Sequence, residues 1–267
     1  LGPDAPLRVA ILQSTTVSGT SYTDALLTEM RATRAGGREE VRPFMIADDS
    51  AVDPAPLERV AAEVAAFAPH VVFDGGAPSQ LLAHIERAWS GEPRPQYVHG
   101  AMDFATVLAL ARSRADFSAR FHMISNRDNP TVAKVRAHYQ ASFGGDAAEF
   151  SPTPYDAFYL LAYAAVAVGD APVTGRALAR AIPRLGPPGV PIGVGPADIY
   201  PAFKALARGE TIDLQGTRTS LDFDPETGDP TADLSLHCID AAAGRMRETE
   251  AHYDAATRRF TVAARCP

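Results

Sequence analysis

Through the first half of the chain, short apolar runs alternate with stretches whose apolar positions recur every three or four residues. That alternation predicts strands returned by helices to one end of a parallel sheet. Arg8 to Gln13 reads as a buried strand, followed by a polar loop from Ser14 to Ser21 and a helix presenting Leu26, Leu27 and Met30 on one face. Val41 to Ile46 is the second strand, and Leu57, Val60, Ala61, Val64 and Phe67 form the stripe that packs the next helix on the sheet. His70 to Phe73, Gln96 to His99 and Phe121 to Ser125 are the remaining strands, separated by helices over Ser79–Trp89 and Phe104–Arg112. The predicted fold class is α/β, a doubly wound parallel sheet.

Beyond Ser125 the pattern changes. Pro130–Phe143, Tyr155–Val168 and Thr174–Ala181 read as helices with no strand between them, and Gly186–Pro196 breaks regular structure before a helix over Ala197–Ala207. The run from Phe158 to Val168 is apolar all round and predicts burial on several sides. The tail turns to strands at Ser220–Phe223, Leu234–Asp240, Glu248–Asp254 and Arg259–Ala264, with a turn at Asp254–Thr257. A helical return segment and a β-rich C-terminal tail therefore follow the sheet.

The balance of 46% hydrophobic and 21% charged residues over 267 positions suits a chain that buries a substantial core. A net charge of −7 argues against nucleic acid as a partner, since a basic footprint supplies most of the attraction to phosphates. The longest apolar run has eleven residues, too few to span a bilayer as a helix, and the first residues carry no basic and apolar export signal. Any such signal is expected upstream of Leu1. Cys238 and Cys266 permit one disulfide in an oxidising compartment, but their spacing leaves the pairing open.

No arrangement of catalytic residues emerges. The G-x-S-x-G elbow, H-E-x-x-H and the phosphate loop are all missing from the sequence, and its seven histidines lack zinc-ligand spacing. Catalytic residues, metal ligands and cofactors are all expected to be none. Gly193-Val194-Gly195 lacks a third glycine and does not follow a strand, so it is not a dinucleotide fingerprint. The acidic stretch Asp222 to Asp229 has oxygen ligands at alternate positions, yet Gly228 stands at position seven where a calcium loop needs glycine at six. A tight turn is the preferred reading there.

The loops at the carboxyl ends of the parallel strands hold the better candidates, because open α/β sheets place ligands there. Ser14 to Tyr22 is dense in hydroxyls. Asp74-Gly75-Gly76-Ala77-Pro78-Ser79 joins a glycine pair to a helix start, where free N–H groups favour an anionic or carbonyl group. Gly100 to Asp103 follows the fourth strand, and Asp103 either caps the next helix or holds a ligand ammonium.

The order of these segments resembles the type I periplasmic binding proteins, in the branch that delivers branched-chain amino acids to ABC transporters. Arg8 to Gly19 looks like the first strand and loop of that family's second lobe, and HVVFDGGAPSQLLAHIERAW (His70–Trp89) looks like its unit of strand, glycine pair and helix. PTPYDAFYLLAYAAVAVG (Pro152–Gly169), with Tyr155-Asp156-Ala157, is similar to the crossing helix, and Leu221–Ile239 is similar to the closing β segment. The resemblance implies residues 1–128 as a second-lobe Rossmann-like domain, 129–225 as crossing helices and first-lobe return segment, and 226–267 as the closing segment. The beginning of the first lobe has no counterpart in this sequence, which leaves the Phe158–Val168 helix in want of a partner and open to self-association.

The resemblance further implies a non-catalytic, extracytoplasmic solute receptor, lipid-anchored upstream or free, whose partners are a small-molecule ligand and an ABC transporter permease. Ser18, Thr20, Tyr22, Gly75, Gly76, Ala77, Ala101 and Asp103 would line the second lobe's share of the ligand site. Relatives place a Tyr-Gly pair where Ser18-Gly19 stands, and Asp103 is shifted by about one place from the acidic residue that receives an amino group in relatives. Two alternatives carry over: a Rossmann-like enzyme using Asp74–Gly76 for a phosphate or cofactor, and a sensory ligand-binding domain.

Overall fold

Strand β1 (Leu7–Ser14) is buried from Val9 onward because it lies between two parallel neighbours, β2 (Glu39–Ile46) and β3 (Val71–Gly75). A central strand covered on both faces is uniformly apolar, which is why this segment reads as a continuous hydrophobic run. The computed structural model describes residues 6–32, 39–47, 54–100, 103–127, 129–144, 151–224, 228–261 and 266. Parallel strands β4 (Gln96–His99) and β5 (Phe121–Asn126) extend the sheet on the side of β3. With β8 (Leu234–Asp240), β9 (Arg245–Asp254) and β10 (Arg259–Phe260), the full order is β10-β9-β8-β5-β4-β3-β1-β2. The mainly parallel, doubly wound reading holds.

β2 is the edge, and its composition suits that place. Pro43 stands in register with Ile11 of β1, and a residue without an N–H is tolerated only where one side of the strand has no partner. Arg42 lays its guanidinium 4.8 Å from the Phe44 ring centroid, covering the exposed side of the edge. Helices α1 (Val17–Ala32), α2 (Pro54–Phe67), α3 (Gln80–Ala88) and α4 (Phe104–Ser113) return the chain between strands, with a four-residue α5 (Phe117–Arg120) leading into β5. Leu57, Val60, Ala61 and Val64 are buried as the stripe predicts, and pack with Leu12, Phe44, Ile85 and Phe121 in one core.

The chain divides into two compact units. The first comprises Leu1–Ser125, Ser235–Ala251 and Thr261–Pro267, the second Asn126–Leu234 and His252–Phe260. Cys238 of β8 is bonded to Cys266, so the bridge that the spacing left open is formed within the first unit. Among the described residues no helix is long and apolar enough to cross a membrane.

The second unit is built on α6 (Pro130–Phe143), α7 (Pro152–Val168), α8 (Gly175–Ala181) and α9 (Ile199–Ala207), with a two-stranded parallel sheet of β6 (Val190–Gly193) and β7 (Ile212–Gln215). β6 lies inside the Pro/Gly stretch expected to break structure. Gly189 makes the pairing possible, since a Cβ there would collide with the backbone of Ile212 and Asp213. Ser220–Phe223 is not a strand; it contributes a single bridge, Phe223 to Pro230. In the acidic stretch Gly228 takes the left-handed φ of 78 that the turn reading expects and its N–H donates to the Asp224 carbonyl at 2.7 Å, while Pro225 to Thr227 lie outside the described residues. Of the last predicted strand Arg259–Phe260 is formed among the described residues, and residues 262–265 lie outside them.

Helix α7 also departs from expectation. Its buried positions, Asp156, Tyr159, Tyr163, Ala164 and Ala167, make one stripe that packs on Ala202, Leu206, Ile212 and Leu214 of its own unit. Phe158 and Leu161 on the other side remain exposed. The helix is therefore partnered within the chain, and nothing in the structure supports self-association through it. Arg184 closes this unit by donating to the carbonyls of Ala167, Leu206 and Glu210 at 2.7, 3.0 and 3.0 Å. Those carbonyls lie at or just beyond the ends of α7 and α9, where no intrahelical donor is available.

Candidate functional site

In a sheet ordered 5-4-3-1-2 the winding reverses between β1 and β3, and the loops leaving those two strands part to opposite sides. Of the predicted site residues, Thr20, Tyr22, Gly75, Gly76, Ala77 and Asp103 lie on the segments that leave β1, β3 and β4. α1 starts at Val17, earlier than the polar loop predicts, so Ser18, Thr20 and Tyr22 lie on its first turns instead of in a loop. The hydroxyls of the segment build that start. Ser14 Oγ accepts from the Thr16 N–H at 3.1 Å, and Thr16 Oγ1 accepts from the Gly19 N–H at 3.1 Å, which makes Thr16 the helix cap. Thr20 Oγ1 donates back to the Thr16 carbonyl at 3.0 Å.

Gly19 is needed because a Cβ there would stand 2.8 Å from the carbonyl oxygens of both Gly75 and Ser14. The start of α1 is thereby pressed onto the end of β3. Gly75 is buried under Leu12 and Thr23, and Gly76 takes a left-handed φ of 91 that turns the chain into α3. Asp74, itself buried, holds this turn through Oδ1, which accepts from Gly76 and Ala77 N–H groups at 3.0 and 2.7 Å. Its Oδ2 lies 2.8 Å from His99 Nδ1 of β4, off the line of a hydrogen bond, with both side chains buried. Burial and the Asp74 charge raise the Tyr22 phenol above its ordinary range, so Tyr22 stays a neutral donor facing this corner.

Ala77 is buried below the turn. Ser79 Oγ accepts from the Asp103 N–H at 2.9 Å and so ties the loop after β4 to the start of α3. Asp103 itself caps α4, accepting from Ala105 N–H at 3.1 Å and Thr106 Oγ1 at 2.6 Å. The Thr106 hydroxyl, foremost, holds this carboxyl below the usual range, and Asp103 is an anion at neutral pH. Ala101 lies outside the described residues, as does the side chain of Ser18. The structure thus brings Gly19, Tyr22, Gly75, Gly76, Ala77 and Asp103 to one end of the sheet, with the backbone groups pinned by side chains that are themselves satisfied.

Asp156, the middle of the Tyr-Asp-Ala triplet, does structural work in the second unit. Its Oδ2 accepts from the Thr217 N–H and Oγ1 at 2.9 and 2.8 Å, which fixes the turn after β7. Burial raises its pKa, outweighing those two hydrogen bonds. A raised folded value means that the folded state binds this proton more tightly than the unfolded chain does. The stabilisation from Asp156 is therefore fully present below an unfolded value of about 3.9 and is lost as pH rises through the higher folded value. Denaturation of Asp156→Asn across an acid pH series is expected to lack this component, and identical pH slopes for the two proteins would contradict it.

One feature had no signal in the sequence. A cavity of about 710 Å³ lies wholly within the second unit, lined among others by Arg127, Asn129, Gln215, Arg218 and Thr219.

No family model matches the sequence, and no curated protein matches it. Among solved structures the chain is similar to a leucine-binding protein from Thermotoga maritima MSB8, with 13% identity and a TM-score of 0.55. That alignment covers 91% of this chain and 59% of the other. The fold is that of the type I periplasmic binding proteins. An ABC transporter substrate-binding protein from Desulfitobacterium hafniense in complex with Leu shares this periplasmic-binding fold at 16% identity and a TM-score of 0.50, over 91% of this chain and 60% of that one. So does a solute-binding protein of an ABC transporter from Rhodopseudomonas palustris BisB5 in complex with 3,4-dihydroxybenzoic acid, at 17% identity and 0.53, over 93% and 60%. This chain spans about 60% of the length of these type I proteins.

Proposed function

We propose that this chain is a non-catalytic solute-binding component of an ABC-type uptake system, with a small polar solute such as an amino acid as ligand and a permease as partner. The observation that carries the reading is the close approach of Gly19 to Gly75 and Gly76 at the switch point, on a fold shared with transport-associated binding proteins. Exposed backbone at Gly76, the Tyr22 hydroxyl and the Asp103 carboxylate give acceptors and donors for a zwitterion, and among the described residues no nucleophile–base pair stands beside them. The Cys238–Cys266 bridge suits an extracytoplasmic protein, since such bonds persist in oxidising compartments.

The test is a titration of the purified protein with leucine and other small amino acids, followed by amide NMR. Addition of ligand is expected to shift Gly19, Gly75 and Gly76, and Tyr22→Ala is expected to weaken binding at least tenfold. Shifts confined to other regions, or chemical turnover of the solute, would overturn the proposal.

A further inference from the structure

We propose that the cavity of the second unit is a separate binding site for a hydroxylated organic carboxylate. It does not depend on the site at the ends of β1, β3 and β4. Its volume of about 710 Å³ falls in the range of small-molecule pockets. Arg127 and Arg218 both line it, and a planar guanidinium matches a carboxylate with two parallel hydrogen bonds. Asn129 and Pro130 place the amino end of α6, a fourteen-residue helix, on the same wall, where its partial positive charge adds to theirs. Among the described lining residues the opposing charge is Asp233, whose Oδ1 already accepts from the Ala255 N–H at 2.9 Å, and Asp156 beneath the turn attracts Arg218.

The wall is also held in place before any ligand arrives. Asn129 accepts from the Thr131 N–H through Oδ1 at 2.8 Å and donates through Nδ2 to the Gly216 carbonyl at 2.9 Å, joining the start of α6 to the turn after β7. Asp156 anchors that turn from beneath at Thr217, immediately before Arg218. The Arg127 N–H donates to the Asp233 carbonyl at 2.9 Å. Beside the cations stand the Gln215 amide, whose Nε2 donates to Asp213 Oδ1 at 2.8 Å, and the Thr219 hydroxyl, which accepts from the Leu221 N–H at 3.2 Å; the Gln215 oxygen can still accept and the Thr219 hydroxyl can still donate. An anionic head seated on the guanidinium groups and a hydroxylated body hydrogen-bonded to the amide and hydroxyl would use both halves of this lining.

Calorimetric titration of the whole chain with gluconate, sorbitol and inorganic phosphate at low ionic strength tests the proposal. Gluconate is expected to bind one to one, at least tenfold more tightly than sorbitol, which has the same carbon skeleton without the charge, and than phosphate, which has charge without the polyol. Arg218→Gln is expected to weaken gluconate at least tenfold. Arg127→Gln, at an exposed position, is expected to weaken it similarly and keeps the test decisive if the Arg218 variant fails to fold. Asp103→Ala, in the first unit, is expected to leave gluconate affinity unchanged. No gluconate binding, equal binding of sorbitol or phosphate, or indifference to the Arg127 change would overturn the proposal.

Discussion

Glu86→Gln is expected to destabilise the first unit by about 3–5 kcal/mol, the range found when one member of a buried ionic cluster is removed and its partners keep their charge. The Glu86 carboxylate is 1% exposed and receives three arginines. Arg120 grips it with both terminal nitrogens at 2.8 and 3.0 Å, Arg94 Nη1 lies at 3.1 Å and Arg114 Nε at 3.2 Å, while the Tyr97 hydroxyl donates at 2.7 Å. Glu86 sits in the last turn of α3, where the helix dipole is negative, so the same arginines also serve the free carbonyls. Arg94 and Arg114 donate to the Glu86 carbonyl at 3.2 and 3.3 Å. Asp116 shares part of the positive load, through Arg120 at 2.8 Å and Arg114 at 3.9 Å, and the exposed Glu92 lies 3.9 Å from Arg94.

Glutamine keeps the shape of the side chain and removes the charge, leaving the arginines to repel one another out of water. Urea denaturation measures the loss, and a decrease below about 1 kcal/mol would mean that the cluster is solvated and weak. The cluster lies where β4 and β5 begin, whereas the candidate ligand residues lie where β1, β3 and β4 end. A folded Glu86 variant is therefore expected to bind solute as the parent does.

Cys266→Ser is expected to cost the first unit roughly 3–4 kcal/mol, from the loop-closure entropy of a bridge whose cysteines are 28 residues apart. The bridge fastens the end of the chain to β8, and Cys266 Sγ packs 3.2 Å from His122 Nδ1, an imidazole that burial keeps below its ordinary pKa. Losing the bond releases Cys266 from its place against Cys238 and the Phe121 carbonyl. Denaturation of the parent with and without a dithiol reductant should reproduce the gap between parent and variant, and the variant should not respond to the reductant. Equal midpoints in the parent, with the thiols shown to be free, would contradict the account.

Elements marked at both ends were legible in the sequence. Helix α6 runs from Pro130 to Phe143 as predicted, because Asn129 caps it, Pro130 suits its first turn and Gly144 leaves it at φ 66. β6 and β7 escaped notice because each is four residues long and β6 sits among prolines and glycines, so no period could establish itself. The α7 sequence predicts burial all round because Phe158 and Leu161, which face outward, are as apolar as the residues that face inward.

At the candidate site the glycine pair was readable, since a left-handed turn and a close backbone contact admit little else. The hydroxyl-rich segment misled, because the threonine that caps a helix and one that meets a ligand look the same in sequence. Arg127 and Arg218 gave no signal at all, since only the fold brings two such distant residues to one cavity.

The interleaving of the two units sets an order of events as the chain is made. β5 is complete at Asn126, but its outer neighbour β8 begins only at Leu234, and the whole of the stretch between belongs to the other unit. The second unit can gather most of its core from sequence-local elements, α7 through β7, while the open flank of β5 still waits for its mate. Cys266 emerges later than either, so the bond to Cys238 can form only after β8 has been made.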